Sequence, residues 1–295
     1  MGLGELFALS CALAWAVAVI LFKKSGEHLP PFALNLVKNA VVLPLFGVTL
    51  LAVESSAGPN MPWADLGLAA VSGVIGIAIG DTLYFRALNA IGASRMAVAQ
   101  ALYSPFVILL SILVLGERLS VWQFGGVALV LAGIVLVTYT RSPERRDARA
   151  LRAGVMWAVI AVFMMAAGVV IAKPLLEQHS FLWVVSLRVA AGFAGMLAIA
   201  IGRRQLSALW RAYRGVTHWP AIVAGGIVGT YLSMMLWLAG YKYTQASIAA
   251  VLNELAAVFI LPLAVWFLGE RVQRRQYVGV TLALAGVVLV IGLKP

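Results

Sequence analysis

Ten apolar runs, each near the length a helix needs to cross a bilayer, alternate with short polar connections along the whole chain. The runs fall at 3–22, 31–53, 66–88, 94–115, 120–139, 153–173, 180–201, 216–241, 245–268 and 275–293. A helix rising 1.5 Å per residue crosses about 30 Å of hydrocarbon in roughly 20 residues. Backbone groups in lipid must be satisfied inside their own segment, so the runs predict helices, and the alternation of a transmembrane barrel is absent. Pro30-Pro31, Gly58-Pro59 and Pro143 punctuate three of the connections. The predicted fold class is all-α, a polytopic membrane protein of ten transmembrane helices.

Composition agrees with the pattern. Of the 295 residues, 63% are hydrophobic and 11% charged, and the mean hydropathy is +0.98. Soluble domains run about 45–50% apolar and about 25% charged. The net charge of +11 sits in clusters between the apolar runs, where membrane topology accounts for it better than contact with nucleic acid. Cys11 is the single cysteine and lies within the first run. The start of the chain lacks the basic n-region of a cleavable signal, so the first run reads as a span.

The chain repeats itself. Residues 93–137 align without gaps on 246–290, an offset of 153, with 21 of 45 positions identical. Ala93-Ser94 falls on Ala246-Ser247, Leu115-Gly116-Glu117-Arg118 on Leu268-Gly269-Glu270-Arg271, and Ala132-Gly133 on Ala285-Gly286. A weaker upstream match sets Lys23 on Lys173 and Lys38 on Arg188 at an offset of 150. The polar stretch Arg141-Ser142-Pro143-Glu144-Arg145-Arg146-Asp147-Ala148-Arg149 marks the seam. The predicted organisation is a first five-helix repeat at 1–140, a basic linker at 141–152 and a second repeat at 153–295. Five spans per half is odd, so the halves enter the membrane oppositely, as inverted-topology repeats around a central cavity.

Five spans per half, with a proline-bearing fourth span ending in LGER, resembles the drug/metabolite transporter superfamily, specifically the EamA-type 5+5 proteins. The text that carries the resemblance is Ser104-Pro105-Phe106-Val107-Ile108-Leu109-Leu110 through Arg118, and Ala257 to Arg271 with Pro262. The resemblance implies that the first four spans of each half surround the path while the fifth and tenth brace it.

Sixteen Lys and Arg fall in the odd-numbered loops and four in the even loops and termini. The positive-inside rule then puts both termini outside the inner (plasma) membrane, against the family expectation of cytoplasmic termini.

Ionisable groups inside a span are costly and are candidates for function. Lys38 lies in the second run, Arg188 at matching depth in the seventh, Asp81 in the third beside Arg86, and Glu254 in the ninth, where its repeat partner is Ala101. Ion pairing between helices is the competing structural reading. Aromatic and amide side chains gather in the same runs: Trp15, Asn35, Asn39, Tyr84, Gln100, Tyr103, Ser104, Trp157, Tyr231, Ser233, Trp237 and Asn253. The expected substrate-binding set is Trp15, Asn35, Lys38, Tyr84, Gln100, Tyr103, Arg188, Trp237, Asn253 and Glu254. Glu254 and Asp81 are the proton-coupling candidates, with Pro105 and Pro262 as helix hinges. An amphiphile such as an amino acid would suit such a pocket, Arg or Lys holding its carboxylate and Glu its amine.

No HExxH, CxxC, GxSxG or GxxxxGK[ST] is present. No metal, cofactor or covalent nucleophile is expected, nor an enzyme. The expected function is a secondary transporter, an exporter of amino acids or similar metabolites, working as a monomer on a small-molecule substrate. The alternatives are an intramembrane enzyme, or a channel or scaffold.

Overall fold

In the computed structural model, the described residues are 2–25, 29–54, 58–91, 99–138, 148–216, 219–268 and 274–292, and they contain helices and no strand. Most of the linker stretch 141–149, Ala93-Ser94 and Gly269-Glu270-Arg271 lie outside them. The helices are α1 (Leu3–Ser25), α2 (Pro31–Val53), α3 (Trp63–Gly73), α4 (Asp81–Ile91), α5 (Tyr103–Leu110), α6 (Val121–Thr138) and α7 (Ala148–Gln178). They continue with α8 (Phe181–Gly202), α9 (Leu206–Arg214), α10 (Trp219–Gly226), α11 (Ser233–Tyr243), α12 (Ala246–Asn253), α13 (Ala256–Leu268) and α14 (Arg274–Gly292). Three stretches widen to a π-helical pitch: Val74–Gly80 joins α3 to α4, Ser111–Leu115 extends α5, and Ile227–Leu232 joins α10 to α11.

Six helical segments among the described residues are long and apolar enough to cross a membrane: Phe32–Val53, Trp63–Tyr84, Leu151–Gln178, Phe181–Gly202, Ile222–Tyr243 and Arg274–Ile291. Shorter apolar helical stretches are Leu3–Ala18, Tyr103–Leu115, Val121–Leu136 and Ala246–Ile260. Leu51, Trp63, Val121 and Trp266 are largely exposed, an outer surface that only an apolar solvent tolerates.

Starts and stops follow local chemistry. Pro31 opens α2 at the position where its missing N–H costs nothing. Ser180 caps α8, its hydroxyl accepting from Trp183 N–H. Before α6, Ser120 and Gln123 form a reciprocal capping box: Ser120 N–H donates to Gln123 Oε1 at 2.9 Å, and Gln123 N–H to Ser120 Oγ at 3.2 Å. The connection between the seventh and eighth apolar runs, read from sequence as a loop, holds α9. Its polar face carries Arg211 and Arg214, its apolar face buries Leu209, and Tyr213 donates to the Ala33 carbonyl of α2 at 2.9 Å. Partial burial pushes the Tyr213 phenol up to about 12, so the donor stays protonated.

The packing is reciprocal. α1 lies against α10, α11, α12 and α13, while α7 lies against α3, α4 and α5. α2 packs on α8, and α6 on α14. Small residues let α6 and α14 touch backbone to backbone. A Cβ on Gly126 would sit 2.7 Å from Gly286 O, and one on Gly133 would sit 2.4 Å from Gly279 O. The 153-residue offset carries the first of these contacts onto the second. It also carries Val74–Gly80 onto the stretch containing Ile227–Leu232, so both π-helical joints stand at equivalent places.

Candidate functional site

Two helices break at equivalent points. α12 ends at Asn253, Glu254-Leu255 forms a turn, and α13 resumes at Ala256. Across the turn the backbone tightens: Leu255 N–H donates to Leu252 O at 3.1 Å and Ala257 N–H to Glu254 O at 3.2 Å, each one residue short of the α-helical pattern. Ala101-Leu102, 153 residues earlier, forms the matching turn before α5, with Leu102 N–H donating to Ala99 O at 3.0 Å. Pro105 explains this first break, because it has no N–H for the Ala101 carbonyl and its ring crowds that carbonyl. It sits in the first turn of α5, where no such bond is needed. The second break has no proline at that place. Pro262 lies exposed within α13, downstream of the turn and without interrupting that helix.

Gln100 and Asn253 immediately precede the two turns. The Gln100 Oε1 and both side-chain amide atoms of Asn253 are buried without a hydrogen-bond partner among the described residues. Unpaired buried polar atoms cost free energy, about 1–3 kcal/mol each, unless something completes them.

Around the turns lies a polar cluster. Ser104, on α5, donates its hydroxyl to Glu254 Oε1 at 3.1 Å. The Tyr103 and Tyr241 hydroxyls share a hydrogen bond of 3.0 Å, and Trp237 stands edge-on to Tyr241 with ring centroids 5.5 Å apart. Tyr84 lies on α4, partly buried and packed against the apolar core. Arg188 is buried on α8. Its Nη1 donates to the Gly168 carbonyl at 2.7 Å and to the Ser72 hydroxyl, while Nε has no acceptor. No carboxylate lies within ion-pair distance of Arg188 among the described residues. The close approach of Gly168 to Gly76 brings that carbonyl within reach.

The remaining sequence candidates divide. Lys38 and Asp81 pair at 3.4 Å between α2 and α4, with side chains 12% and 18% exposed. Arg86, the neighbour of Asp81 in sequence, instead lies over the Trp157 ring at 4.5 Å. Asn35 is fully buried and donates to Met196 Sδ, and Asn39 donates to the Asn35 carbonyl at 2.8 Å. Trp15 stands 41% exposed on α1. Among the described residues, no three His, Cys, Asp or Glu side chains are grouped to hold a metal ion.

Sequence reasoning passed over a second polar region, treating its lysines as loop charge. A cavity of about 540 Å³ is lined by Glu117, Lys173, Glu177, Lys242, Thr244 and Gln245, among others. Lys173 pairs with Glu177 at 2.5 Å, and Lys242 donates to the His179 carbonyl at 3.5 Å. Glu117, from the LGER motif, accepts from Ala246 N–H at 2.6 Å, Ser247 N–H at 3.1 Å and the Ser247 hydroxyl at 2.7 Å. A carboxylate from one repeat thus caps the N-terminus of α12 in the other. The duplicated AS and LGER dipeptide and tetrapeptide were the available signal, though nothing in one sequence said that they meet.

Two segments, residues 2–139 and 152–292, each match the model of the EamA-like transporter family, and the chain belongs to that family. It is a multi-pass membrane protein of the transporter class. Among curated relatives it is 29% identical over 157 residues to an uncharacterized transporter of Vibrio cholerae, covering 50% of this chain and 47% of that one. It therefore spans about half the length of that relative. It is 23% identical over 227 residues to the UDP-N-acetylglucosamine transporter of Canis lupus familiaris, covering 71% and 69% of the two chains. An uncharacterized transporter of Archaeoglobus fulgidus is 21% identical over 290 residues, 97% of each chain. A solved crystal structure superposes with a TM-score of 0.79 over 98% of this chain and 96% of its own, at 21% identity, which fixes the likeness of fold.

Proposed function

We propose that the chain is a secondary transporter of ten spans, two inverted five-helix repeats at 1–140 and 153–295 joined by the linker at 141–152, and not an enzyme. It exports amino acids or similar small amphiphiles from the cell across the inner membrane, as a monomer, by alternating access between the repeats. The observation that carries the reading is the pair of helix breaks at Ala101-Leu102 and Glu254-Leu255. They stand 153 residues apart and border buried amides with unmet hydrogen bonds. Discontinuous helices facing each other at a repeat interface are how many carriers bind solute. The equivalent π-helical joints and the self-mapping contact of α6 with α14 support the repeat. In this reading the substrate completes Gln100 and Asn253, Arg188 holds its carboxylate, and Glu254 holds its amine or exchanges a proton. Asp81 with Lys38 forms the second charged element. The Lys and Arg count supports termini outside.

A nucleotide-sugar substrate is the second reading. It rests on the named relatives and on Lys173 and Lys242 lining the cavity, where a diphosphate would find cations. Proteoliposomes holding only this chain decide between them. Counterflow of a labelled amino acid supports the first, counterflow of UDP-N-acetylglucosamine supports the second, and no saturable flux of either sinks both.

A further inference from the structure

α9 docks on the bundle by one side, through buried Leu209 and through Tyr213, which donates to the Ala33 carbonyl of α2. The adjoining sectors are bare: Trp210 is 65% and Leu206 48% exposed. Arg211 and Arg214 stand exposed beside them, and Arg203 and Arg204 are exposed in the turn before α9. Among the described residues none of these four arginines meets a carboxylate, and the sequence holds no Asp or Glu between Glu177 and Glu254. Backbone geometry singles out Arg204. α8 closes with Arg204 N–H on the Ile201 carbonyl and Gln205 N–H on the Ala200 carbonyl, both at 2.9 Å. Arg204 takes the left-handed place of that closure at φ 53°, the one non-glycine with positive φ among the described residues. Glycine fits such a place without strain. An arginine held there, its guanidinium given no acceptor among the described residues, serves something outside the chain.

The level of the patch says what that is. Phe181–Gly202 and Phe32–Val53 are long and apolar enough to cross the membrane, and α9 follows the end of the first and touches Ala33 at the start of the second. α9 therefore lies where spans enter the bilayer, the level at which tryptophan sits among headgroups and arginine reaches lipid phosphates. Trp210 supplies an apolar anchor and the arginines a cationic rim. The guanidinium fork matches phosphate oxygens, and an acidic headgroup, unlike a zwitterionic one, brings no cation of its own to oppose it. We propose that α9 and the turn before it bind the headgroups of acidic phospholipids, Trp210 entering the boundary layer while Arg203, Arg204, Arg211 and Arg214 hold the phosphates. The site is independent of which solute the chain carries.

Native mass spectrometry of the full-length chain tests this with dioleoylphosphatidylglycerol against dioleoylphosphatidylcholine. Retention of the glycerol lipid should exceed that of the choline lipid by at least about fivefold. Arg203→Gln/Arg204→Gln/Arg211→Gln/Arg214→Gln should bring the two lipids within about twofold of each other. Arg118→Gln/Arg274→Gln, at exposed arginines elsewhere, should keep the excess. Equal retention of both lipids in the unaltered chain, or an equal loss in both variants, overturns the site. Arg204→Gly supplies a check that misfolding cannot mimic. It should melt at or above the wild-type temperature, because glycine relieves the left-handed turn, and yet lose part of the excess. An unchanged excess in Arg204→Gly overturns the assignment of Arg204. Displacement of the glycerol lipid by inorganic phosphate, beyond that by chloride at equal ionic strength, would make the patch a free-anion site and overturn the lipid assignment.

Discussion

The Ser104 hydroxyl donates to Glu254 at 3.1 Å across the gap between α5 and the turn that follows α12. The carboxylate at the second helix break is thus held from the first turn of the helix that follows the first break. Glu254 replaces the Ala101 of the earlier repeat, so the acid is an asymmetric addition to an otherwise duplicated frame. Glu254→Gln should reduce flux driven by a pH gradient by at least about tenfold while leaving solute exchange without a gradient within a few-fold. Unchanged gradient-driven flux in Glu254→Gln would remove the coupling role. Ser104→Ala should give a smaller, few-fold effect.

Arg188 keeps one nitrogen, Nη1, on Gly168 and Ser72. Arg188→Lys exchanges a planar fork for a point charge that cannot serve those acceptors and a carboxylate together. KM for a carboxylate-bearing substrate should rise at least about tenfold, with amine analogues lacking the carboxylate unaffected. A uniform loss for both would make Arg188 a packing element alone.

Gly126→Val is expected to destabilise the chain by about 1–3 kcal/mol, because the new Cβ meets the Gly286 carbonyl. Gly125→Ala, one residue earlier, meets nothing within 4 Å and should leave the melting temperature in detergent where it was. Equal melting temperatures for the two variants would contradict the close crossing of α6 and α14.

Glu117→Ala leaves two N–H groups at the start of α12 without their acceptor. The expected cost is about 1 kcal/mol, read as a lower melting temperature, with Glu117→Gln retaining part of the cap. A wild-type melting curve for Glu117→Ala would show the contact to be energetically idle.

Cys11 is buried and its thiol donates to the Ser233 carbonyl at 3.3 Å. A maleimide should leave the native protein unlabelled and react once per chain on unfolding, so labelling of the cold, native protein would contradict the packing of α1 on α11.

The helical, membrane-spanning character of the chain was legible from hydropathy. The boundaries of α2 and α8 fall within a residue or two of the apolar runs, since a run of uniform apolarity leaves helix as the only satisfied backbone. The interruptions were less legible. Pro105 pointed to the first break, but Glu254-Leu255 carries no breaker, and a π-helical joint such as Val74–Gly80 has no sequence signature apart from its small residues. Side-chain partners followed neither proximity in sequence nor charge order: Asp81 chose Lys38 across a helix gap over Arg86 five positions away, and Arg86 took an aromatic ring. Lys173 and Lys242 read as loop charge because facing a common cavity is a property of the tertiary arrangement alone.

The crossing of α6 with α14 maps onto itself, Gly126 meeting Gly286 as Gly279 meets Gly133. A surface that fits its own copy asks only one sequence to be right. One glycine spacing, used twice, therefore serves both sides of the crossing, while positions away from it are free to diverge, as Ala101 and Glu254 have at one shared place in the 153-residue register.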